Sequence, residues 1–343
     1  MPLYIPYPEW LSPVIIPGLP FRWYGMMYLV AFGITYLLTK IQLDDRSHPL
    51  HGTVSTDDVV NLFFWTIIGL LVGSRVFATT IYDTSGRYLT RPWLIFWPFD
   101  ENMNFIGLQG MSFHGGLLGA AVAGVIYARV KKIDIPEMAD VIITSVPLGY
   151  TFGRIGNFIN GELYGRITDA PWGVLFPGAE PVPTSHPAVR EIAENVGIDI
   201  TDQALVNLPR HPSQLYEAFL EGIVLWVVMW FIFRKRKPFR GFMLGVFLVG
   251  YSIARYIAEY FRQPDPGLDF VIQWGPSDNP RWLLLSPWNI TTGQVLSIIT
   301  AVVGIAVLVA IRIKVGTRPR VETFDTAPPE KAKGSTQTQR SRR

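Results

Sequence analysis

Seven long apolar runs alternate with polar segments along the 343-residue chain. Each run has about the length, roughly 20 residues, that an α-helix needs to cross the hydrocarbon core of a bilayer. Because lipid-exposed backbone must satisfy its own hydrogen bonds, we predict an all-α integral membrane protein built as a bundle of seven transmembrane helices. The predicted spans are residues 22–39, 59–82, 112–130, 138–160, 214–233, 242–261 and 290–312.

Basic residues gather in the segments that follow alternate spans. The segment RKRKPFR (234–240) has five basic residues in seven, and the loop 129–137, the loop 40–58 and the C-terminal tail fall on the same side. Short basic loops mark the cytoplasmic face of a membrane protein. We therefore predict the N-terminus outside, the C-terminus in the cytoplasm, and three outward-facing loops, which are 83–111, 161–213 and 262–289.

Composition supports the membrane class and removes several kinds of chemistry. Only 17% of the residues are charged, whereas soluble domains carry about 25%. The chain has no cysteine, which excludes disulfides, thiolate catalysis and thiolate metal ligands. The five histidines do not stand at the spacing of a metal site, so we predict no metal and no cofactor. No pattern indicates a nucleic-acid partner.

The two ends of the chain differ from the spans. Residues 1–21 are rich in proline, which forbids a regular helix, and their aromatic side chains suit an anchor at the outer headgroup level. Residues 313–343 are polar and basic, so we predict a disordered cytoplasmic tail, either solvated or touching anionic lipid. Residues 22–312 form the predicted membrane domain.

Three arginines, Arg75, Arg154 and Arg255, lie inside or at the rim of predicted spans. A centrally buried arginine costs at least about 2.5–3.5 kcal/mol on insertion scales. Such a residue needs a route to the headgroups, an ion-pair partner or a ligand. For Arg75 we leave snorkelling and a structural ion pair open, whereas the polar neighbours of the other two favour a binding site.

The sixth span carries a polar stripe along one face. The stripe runs toward the predicted outer end of the span. Its members stand at intervals of four, four and three residues, which places them within an arc of about 80° on a helix. It has two interpretations: a ladder of ion pairs facing the bundle, or a site where an anion competes for the arginines. The members are Tyr251, Arg255, Glu259 and Arg262.

The stretch GRIGNFINGELYG (153–165) brings polar residues to the outer end of the fourth span. Arg154 and Asn157 share a helix face there. Irregular polar backbone at membrane depth is tolerated only where it is buried in protein or lines a cavity. Because arginine binds phosphate bidentately, we predict an outward-facing cavity for an anionic headgroup. Asn160 and Glu162 lie at the opening of this predicted cavity. Gly161 and Gly165 allow the chain to leave the helical conformation there.

His114 stands in the stretch GMSFHGGLLG (110–119), where the third span begins. Ser112 can cap that helix, and Gly115 and Gly119 favour close packing with another helix. An isolated histidine at this position is commonly structural. Histidine side chains in general can transfer protons near neutral pH, so both roles remain open.

Five stretches at or between the spans combine glycine, aromatic and charged residues. They are FRWYGMMYL (21–29), GMSFHGGLLG (110–119), GRIGNFINGELYG (153–165), RHPSQLYE (210–217) and GYSIARYIAEYFRQPD (250–265). In this order they resemble the prolipoprotein diacylglyceryl transferases, a family of bacterial plasma-membrane enzymes. The resemblance extends over about residues 20–312, and the third stretch resembles the signature of that family.

The resemblance implies a reaction in the bacterial inner membrane. A diacylglyceryl group would move from phosphatidylglycerol to the thiol of the lipobox cysteine in a prolipoprotein, forming a thioether and releasing glycerol phosphate. It also implies seven spans with the N-terminus outside. Carried over by motif, the functional residues are Tyr24, His114, Arg154, Asn157, Asn160, Glu162, Gly165, Tyr251, Arg255 and Glu259.

Several of these residues are given expected roles. Arg154 and Arg255 would stabilise the departing phosphate. His114 would either take the proton of the thiol, since the thiolate is the nucleophile, or hold the headgroup. Asn157 and Tyr24 would orient substrate oxygens, while Glu162 and Glu259 would hold the arginines. The alternative function is a seven-span transporter or receptor in which the arginines form an anion pathway.

Overall fold

The computed structural model describes residues 3–16, 21–83, 85–99, 102–104, 107, 110–268, 270–274 and 280–315. A helix lies at each of the seven predicted spans, and another lies within segment 161–213. In chain order these helices are α1 (Trp23–Asp44), α2 (Thr56–Tyr82), α3 (Phe113–Val130), α4 (Ile135–Ile159), α5 (Pro187–Val196), α6 (Ser213–Phe233), α7 (Phe242–Ala258) and α8 (Thr292–Val315). Two short helical turns, Arg87–Thr90 and Pro92–Ile95, lie between α2 and α3.

Among the described residues, five helices are long and apolar enough to cross a membrane, namely α1, α2, α3, α6 and α8. This finding supports a multi-pass membrane protein. Helix α7 is apolar but has only 17 residues, and α4 contains Pro147 and buries several polar side chains. The count of seven crossings and the side that each terminus faces therefore stay predictions.

Helix boundaries follow backbone hydrogen bonding rather than the edge of the apolar run. Helix α1 continues five residues past the predicted end at 39, where Lys40 and Asp44 form an i, i+4 ion pair of 3.0 Å. Helix α7 ends three residues before 261, and Glu259 is its C-cap. Helix α8 continues to Val315, into the predicted tail. The rest of that tail, 316–343, lies outside the described residues.

The helices pack mainly in pairs: α2 with α3, α1 with α4, and α7 with α8, while α6 contacts both α4 and α7. Glycines bring α2 and α3 close together. A Cβ on Gly119 would lie 2.1 Å from the carbonyl oxygen of Gly69 and 2.9 Å from Gly73 Cα. The predicted close packing through small residues of the third span is confirmed, since a side chain at this crossing has no room.

Segment 161–213, predicted only as a loop, has a small apolar core of its own. Buried side chains from α5 and from the surrounding chain form it, including Val182, Val189, Val196 and Leu208. Short strand pairs fasten the extramembrane segments together: Ile5–Pro6 with Val174–Leu175 in parallel, Val182–Pro183 with Leu205–Val206, and Phe270–Ile272 with Ile290–Thr291, the last two antiparallel. The segment can therefore hold side chains at fixed positions above the helices.

The N-terminal segment is docked on the C-terminal end of α4. Besides its strand pairing, Tyr7 donates its hydroxyl hydrogen toward the carbonyl oxygens of Phe158 and Ile159, at 3.0 and 2.7 Å. These carbonyls belong to the last turn of α4, whose orphan acceptors need partners from outside the helix. The contact fixes the end of the helix that carries the GRIGNFINGELYG stretch.

The opposite end of α4 is tied to the start of α7. Asp140 accepts hydrogen bonds from the backbone N–H groups of Gly241 and Met243 at 2.8 and 2.9 Å. Lys237 reaches back to the same helix and bonds Glu137 at 2.5 Å and Asp140 at 3.3 Å. Part of the basic segment 234–240 thus belongs to a buried ion-pair network.

Candidate functional site

Arg154 and Arg255 meet at one carboxylate oxygen of Glu217. Arg154 Nε lies 3.0 Å from Glu217 Oε2, and Arg255 Nη1 lies 3.1 Å from the same oxygen. The three residues come from different helices, α4, α7 and α6 respectively. Because the two arginines share this partner, Glu217 sets their relative position.

Two more glutamates complete what we term the arginine–glutamate cluster, consisting of Arg154, Arg255, Glu217, Glu221 and Glu259. Glu259 Oε2 binds Arg255 Nη2 at 2.7 Å, and Glu221 Oε1 lies 3.6 Å from Arg255 Nη1. Tyr150 bridges the cluster, because its hydroxyl accepts from Arg154 Nε at 2.5 Å and donates to Glu221. Two guanidinium groups therefore face three carboxyl groups.

The cluster has a buried side and an accessible side. The side chains of Glu217 and Glu221 are fully buried, whereas those of Arg154 and Arg255 are 16% and 15% exposed. Charges taken out of water are costly unless they are paired, and each guanidinium here has at least one close carboxylate. The glutamates thus form the floor of the site, and the guanidinium groups form the part that a ligand can approach.

The polar residues of the GRIGNFINGELYG stretch form a chain of hydrogen bonds beside the cluster. Asn157 Oδ1 accepts from Arg154 Nη1 at 3.4 Å, and its Nδ2 donates to Glu162 Oε1 at 2.9 Å. Asn160 Nδ2 donates to the same oxygen of Glu162 at 3.2 Å. Glu259 binds an arginine as predicted, but Glu162 holds the two asparagines instead, so its link to Arg154 runs through Asn157.

Gly165 is required by close backbone packing. A Cβ at this position would lie 2.3 Å from the carbonyl oxygen of Phe261 and 2.7 Å from His211 Cβ. The Gly165 N–H also donates to the carbonyl oxygen of His211 at 2.9 Å. Gly161, with φ of +65°, lets the chain turn away from α4 a few residues earlier.

Two tyrosines predicted as site residues, Tyr251 and Tyr24, contact residues of α4. The rings of Tyr251 and Tyr150 meet edge to face with centroids 6.1 Å apart. The Tyr24 hydroxyl lies 3.0 Å from that of Tyr28, and a Cβ on Gly156 would lie 3.3 Å from Tyr24 Cδ2. Tyr24 therefore packs on α4 within one turn of Arg154.

His114 stands apart from the cluster. Its side chain is exposed, and its Nδ1 lies 3.0 Å from the hydroxyl oxygen of Tyr82 at the end of α2. Ser112 caps α3 as predicted, accepting from the N–H of Gly115 at 3.2 Å. No hydrogen bond or ion pair joins His114 to the arginine–glutamate cluster in the described part of the chain.

Two other arginines have structural partners. Arg75 is 5% exposed, donates to the carbonyl oxygens of Ile95 and Gly110, and lies 5.5 Å from the ring centroid of Tyr88. Its burial excludes snorkelling, and the guanidinium holds the segment between α2 and α3. Arg262 binds Asp265 at 3.1 Å, so the predicted ladder of the sixth span ends at Glu259.

Comparison with known proteins places the chain among membrane enzymes. A model of the family described as "Prolipoprotein diacylglyceryl transferase" matches residues 13–310. The chain belongs to the prolipoprotein diacylglyceryl transferase family. The match covers the first six predicted spans completely, the seventh as far as residue 310, and the whole arginine–glutamate cluster.

Several curated proteins of this family are similar over nearly their whole length. The Treponema pallidum (strain Nichols) protein is 46% identical over 319 residues, which cover 90% of this chain and 96% of that protein. The Treponema denticola protein is 45% identical over 327 residues, 92% and 96%. The Chlorobaculum tepidum protein is 39% identical over 307 residues, 88% and 90%. Each is named phosphatidylglycerol–prolipoprotein diacylglyceryl transferase.

Sequence reasoning missed three members of the site, Glu217, Glu221 and Tyr150. A signal for the two glutamates was present, because they stand four residues apart within an apolar run, in the stretch YEAFLEG (216–222). Arginines at membrane depth need counter-charges, and an acidic pair on a neighbouring span is the natural source. Tyr150 carried no comparable signal, since a single tyrosine in a span is also a common packing residue.

Proposed function

We propose that this chain transfers the diacylglyceryl group of phosphatidylglycerol to the lipobox cysteine thiol of prolipoproteins. Sulfur forms a bond to the glycerol C3 carbon, the bond from that carbon to the phosphate oxygen breaks, and glycerol phosphate leaves. Membership of the transferase family over residues 13–310 is the observation that carries the proposal. The names of the relatives state the lipid and the protein substrate. Family membership also argues against the transporter or receptor alternative.

The arginine–glutamate cluster suits the departure of a phosphate. Arg154 donates to protein partners through Nε and Nη1, and Arg255 donates through Nη1 and Nη2. The remaining nitrogens, Arg154 Nη2 and Arg255 Nε, have no hydrogen-bond partner in the described structure. Positive groups fixed where negative charge develops stabilise the transition state without reorganising. We assign these two guanidinium groups to the phosphate, with Glu217 as the residue that positions both.

The neighbouring polar residues are assigned to orientation of the lipid. Asn157 and Asn160 are held by Glu162, and the buried Oδ1 of Asn160 has no hydrogen-bond partner among the described residues. An acceptor of this kind can receive a hydroxyl hydrogen of the glycerol headgroup. Tyr24 and Tyr251 border the same region and are assigned to substrate contact.

His114 is proposed as the base that takes the thiol proton, with contact to the headgroup as the alternative role. Tyr82 occupies its Nδ1, which leaves Nε2 on an exposed ring for a substrate. Displacement at carbon requires the thiol to approach from the side opposite the leaving phosphate, so a base that is not hydrogen-bonded to the cluster is compatible with this role.

The proposed setting is the bacterial plasma membrane, with the N-terminus and segment 161–213 outside and segment 234–240 in the cytoplasm. The distribution of basic residues supports this orientation. Many large apolar side chains on the helices are exposed, including Leu71, Val72, Phe231 and Val302, which suits contact with lipid. Both substrates are embedded in the bilayer and can reach the site sideways.

A direct assay tests the proposed function. Purified protein, phosphatidylglycerol and a peptide bearing a lipobox cysteine should yield a thioether-linked lipopeptide, detected by mass, whereas phosphatidylcholine should yield none. Arg154→Lys should lose nearly all of the activity, because lysine keeps the charge but not the planar set of donors. Arg129→Lys, at an exposed position on α3, is the matched control. Absence of product with the parent protein would reject the function, and full turnover by Arg154→Lys would reject the arginine assignment.

A further inference from the structure

A cavity lies outside the arginine–glutamate cluster, among described segments that connect the long helices. Its volume is about 390 Å³, within the range of roughly 300–1,000 Å³ that small-molecule sites occupy. Apolar side chains form much of its wall, and two basic residues, Arg166 and His211, line it. None of the roles assigned above uses either residue.

Arg166 lines this cavity and carries a buried guanidinium edge that no hydrogen bond of the described chain uses. The residue is 2% exposed, and its Nη1 donates to the carbonyl oxygens of Glu259 and Tyr260 at 2.8 and 2.6 Å. Its Nε and Nη2 have no hydrogen-bond partner within the described residues. These two nitrogens form one edge of the guanidinium, the edge that donates two parallel hydrogen bonds to a carboxylate or phosphate.

The charge on Arg166 is retained at neutral pH. Burial lowers the pKa of Arg166 to about 10, and Glu259 opposes that change. A buried cation with unmet donors is costly, and an anion in the cavity removes that cost. The arrangement is thus more favourable with an anionic ligand than without one.

His211 also lines this cavity, and its ring can supply another donor. Its Nδ1 lies 3.3 Å from the hydroxyl oxygen of Tyr216, which accepts from Trp172 Nε1 at 2.8 Å. Burial and the charge of Arg166 lower the pKa of His211 to about 4, so the ring is neutral at pH 7. When the Tyr216 hydroxyl donates to Nδ1, the ring hydrogen resides on Nε2 and is available to a ligand.

We propose that this cavity binds the phosphate group of a glycerol phosphate ester, through the Nε–Nη2 edge of Arg166 and the ring of His211. The inference rests on the proposed function for the identity of the ligand. Arg166 bonds the backbone of Glu259, whose side chain binds Arg255, so the cavity adjoins the cluster where the phosphate departs. The ligand is either released glycerol phosphate or the headgroup of an intact phosphatidylglycerol.

Binding is measured by equilibrium dialysis of radiolabelled glycerol phosphate against the purified full-length protein. The Arg154→Lys background is used, because the arginine–glutamate cluster could itself bind phosphate. In that background Arg166→Lys should weaken binding by about tenfold or more, since a point charge cannot replace the bidentate edge. Arg210→Lys is the matched control, because Arg210 is also buried but does not line the cavity. Its Nη1 donates to the side chain of Gln263, and its Nη2 donates to the carbonyl oxygen of Glu180.

A second variant covers the case in which Arg166→Lys does not fold. His211→Phe keeps a ring of similar size, removes its donor, and should also weaken binding. Lipid nanodiscs distinguish the two sources of the ligand. If glycerol phosphate binds more weakly in phosphatidylglycerol nanodiscs than in phosphatidylcholine nanodiscs, the lipid headgroup competes for the site. If it binds equally in both, the site is assigned to the free product. Two results would overturn the inference. One is the absence of binding in the Arg154→Lys background, and the other is equal binding by the folded Arg166→Lys, His211→Phe and Arg210→Lys proteins. Because dialysis needs no turnover, these outcomes are independent of whether the protein is a transferase.

Discussion

At the scale of single residues, Glu217 has the largest expected influence on the site. One of its oxygens binds both Arg154 and Arg255, and its other oxygen has no hydrogen-bond partner in the described structure. Removing one partner of a buried ion pair typically costs about 3–5 kcal/mol because the other charge is left uncompensated. We therefore expect Glu217→Gln to lower both the turnover number and the thermal unfolding midpoint strongly.

Glu221→Gln is the matched comparison for Glu217→Gln. Both glutamates are buried on α6, but Glu221 lies 3.6 Å from Arg255 and bonds the neutral hydroxyl of Tyr150. Its substitution should have the smaller effect on turnover and on unfolding. Equal losses in the two variants would mean that total charge, rather than the shared contact with both arginines, determines the behaviour of the cluster.

His114→Gln distinguishes the two roles proposed for this histidine. If His114 is the base, its loss should lower kcat by about 10²–10⁴-fold while leaving the KM for phosphatidylglycerol unchanged. The deficit should shrink as pH rises from 6.5 to 9, because a cysteine thiol with a pKa near 8.5 then ionises unaided. The measurement is turnover of a lipobox peptide across that range. A raised KM with a deficit that does not change with pH would instead assign His114 to the headgroup.

The residues of the site were predictable where their chemistry is unusual for their surroundings. Arg154 and Arg255 stood out because arginine is rare and costly at membrane depth, and Asn157 and Glu162 stood out through their motif. Glu217 was harder to identify because its importance lies in a contact between α4, α6 and α7, which spacing along one helix cannot reveal. Glu162 was assigned to an arginine for the same reason: the sequence did not show that Asn157 lies between them.

At the scale of helices, the crossing of α2 and α3 depends on glycine. A methyl group on Gly119 would overlap the backbone of Gly69, whereas a Cβ on Gly33 of α1 has nothing within 4 Å. Gly119→Ala should lower the free energy of unfolding by about 1–3 kcal/mol, the usual cost of overpacking. Gly33→Ala should leave it unchanged or raise it slightly, because alanine favours the helix. Thermal unfolding in detergent compares the two variants, and equal stability would contradict the crossing.

Long apolar helices were predictable from the sequence, while short elements outside them were not. A helix lies within about five residues of the bounds of each of the seven predicted spans, because apolar runs of that length have few other uses in a protein. Helix α5 was missed within a segment of mixed polarity, although Pro187 in its first turn and Gly197 after its end are ordinary boundary signals. Its apolar positions are buried by the surrounding extramembrane chain, and that packing does not appear in the pattern of the helix alone.

At the scale of the whole molecule, charged groups collect at the two ends of α4. Asp140, bound to the start of α7, and Arg154, in the arginine–glutamate cluster, are 14 residues apart in the sequence. At 1.5 Å per residue they are separated by about 21 Å along the helix, a large part of the thickness of a bilayer core. The stretch between them has no charged residue, and it is flanked by one network tied to segment 234–240 and another tied to segment 161–213.

The basic segment 234–240 predicts that the network at Asp140 faces the cytoplasm and that the arginine–glutamate cluster faces outward. Single cysteines introduced into the cysteine-free chain can test this orientation. Ser185 is exposed in segment 161–213, and Lys235 is exposed in segment 234–240. Lys237 is unsuitable, because its ammonium group binds Glu137 and Asp140. In intact cells an impermeant maleimide should label Ser185→Cys, and it should label Lys235→Cys only after the membrane is permeabilised.

Two controls make the labelling decisive. The parent chain sets the background because it has no cysteine, and each variant must keep parental transferase activity to count as correctly inserted. Labelling of Lys235→Cys but not Ser185→Cys in intact cells would reverse the orientation and place the arginine–glutamate cluster at the cytoplasmic face. The proposed reaction would then require prolipoproteins to be modified before their lipobox crosses the membrane, so the same experiment also tests on which side the thiol meets the lipid.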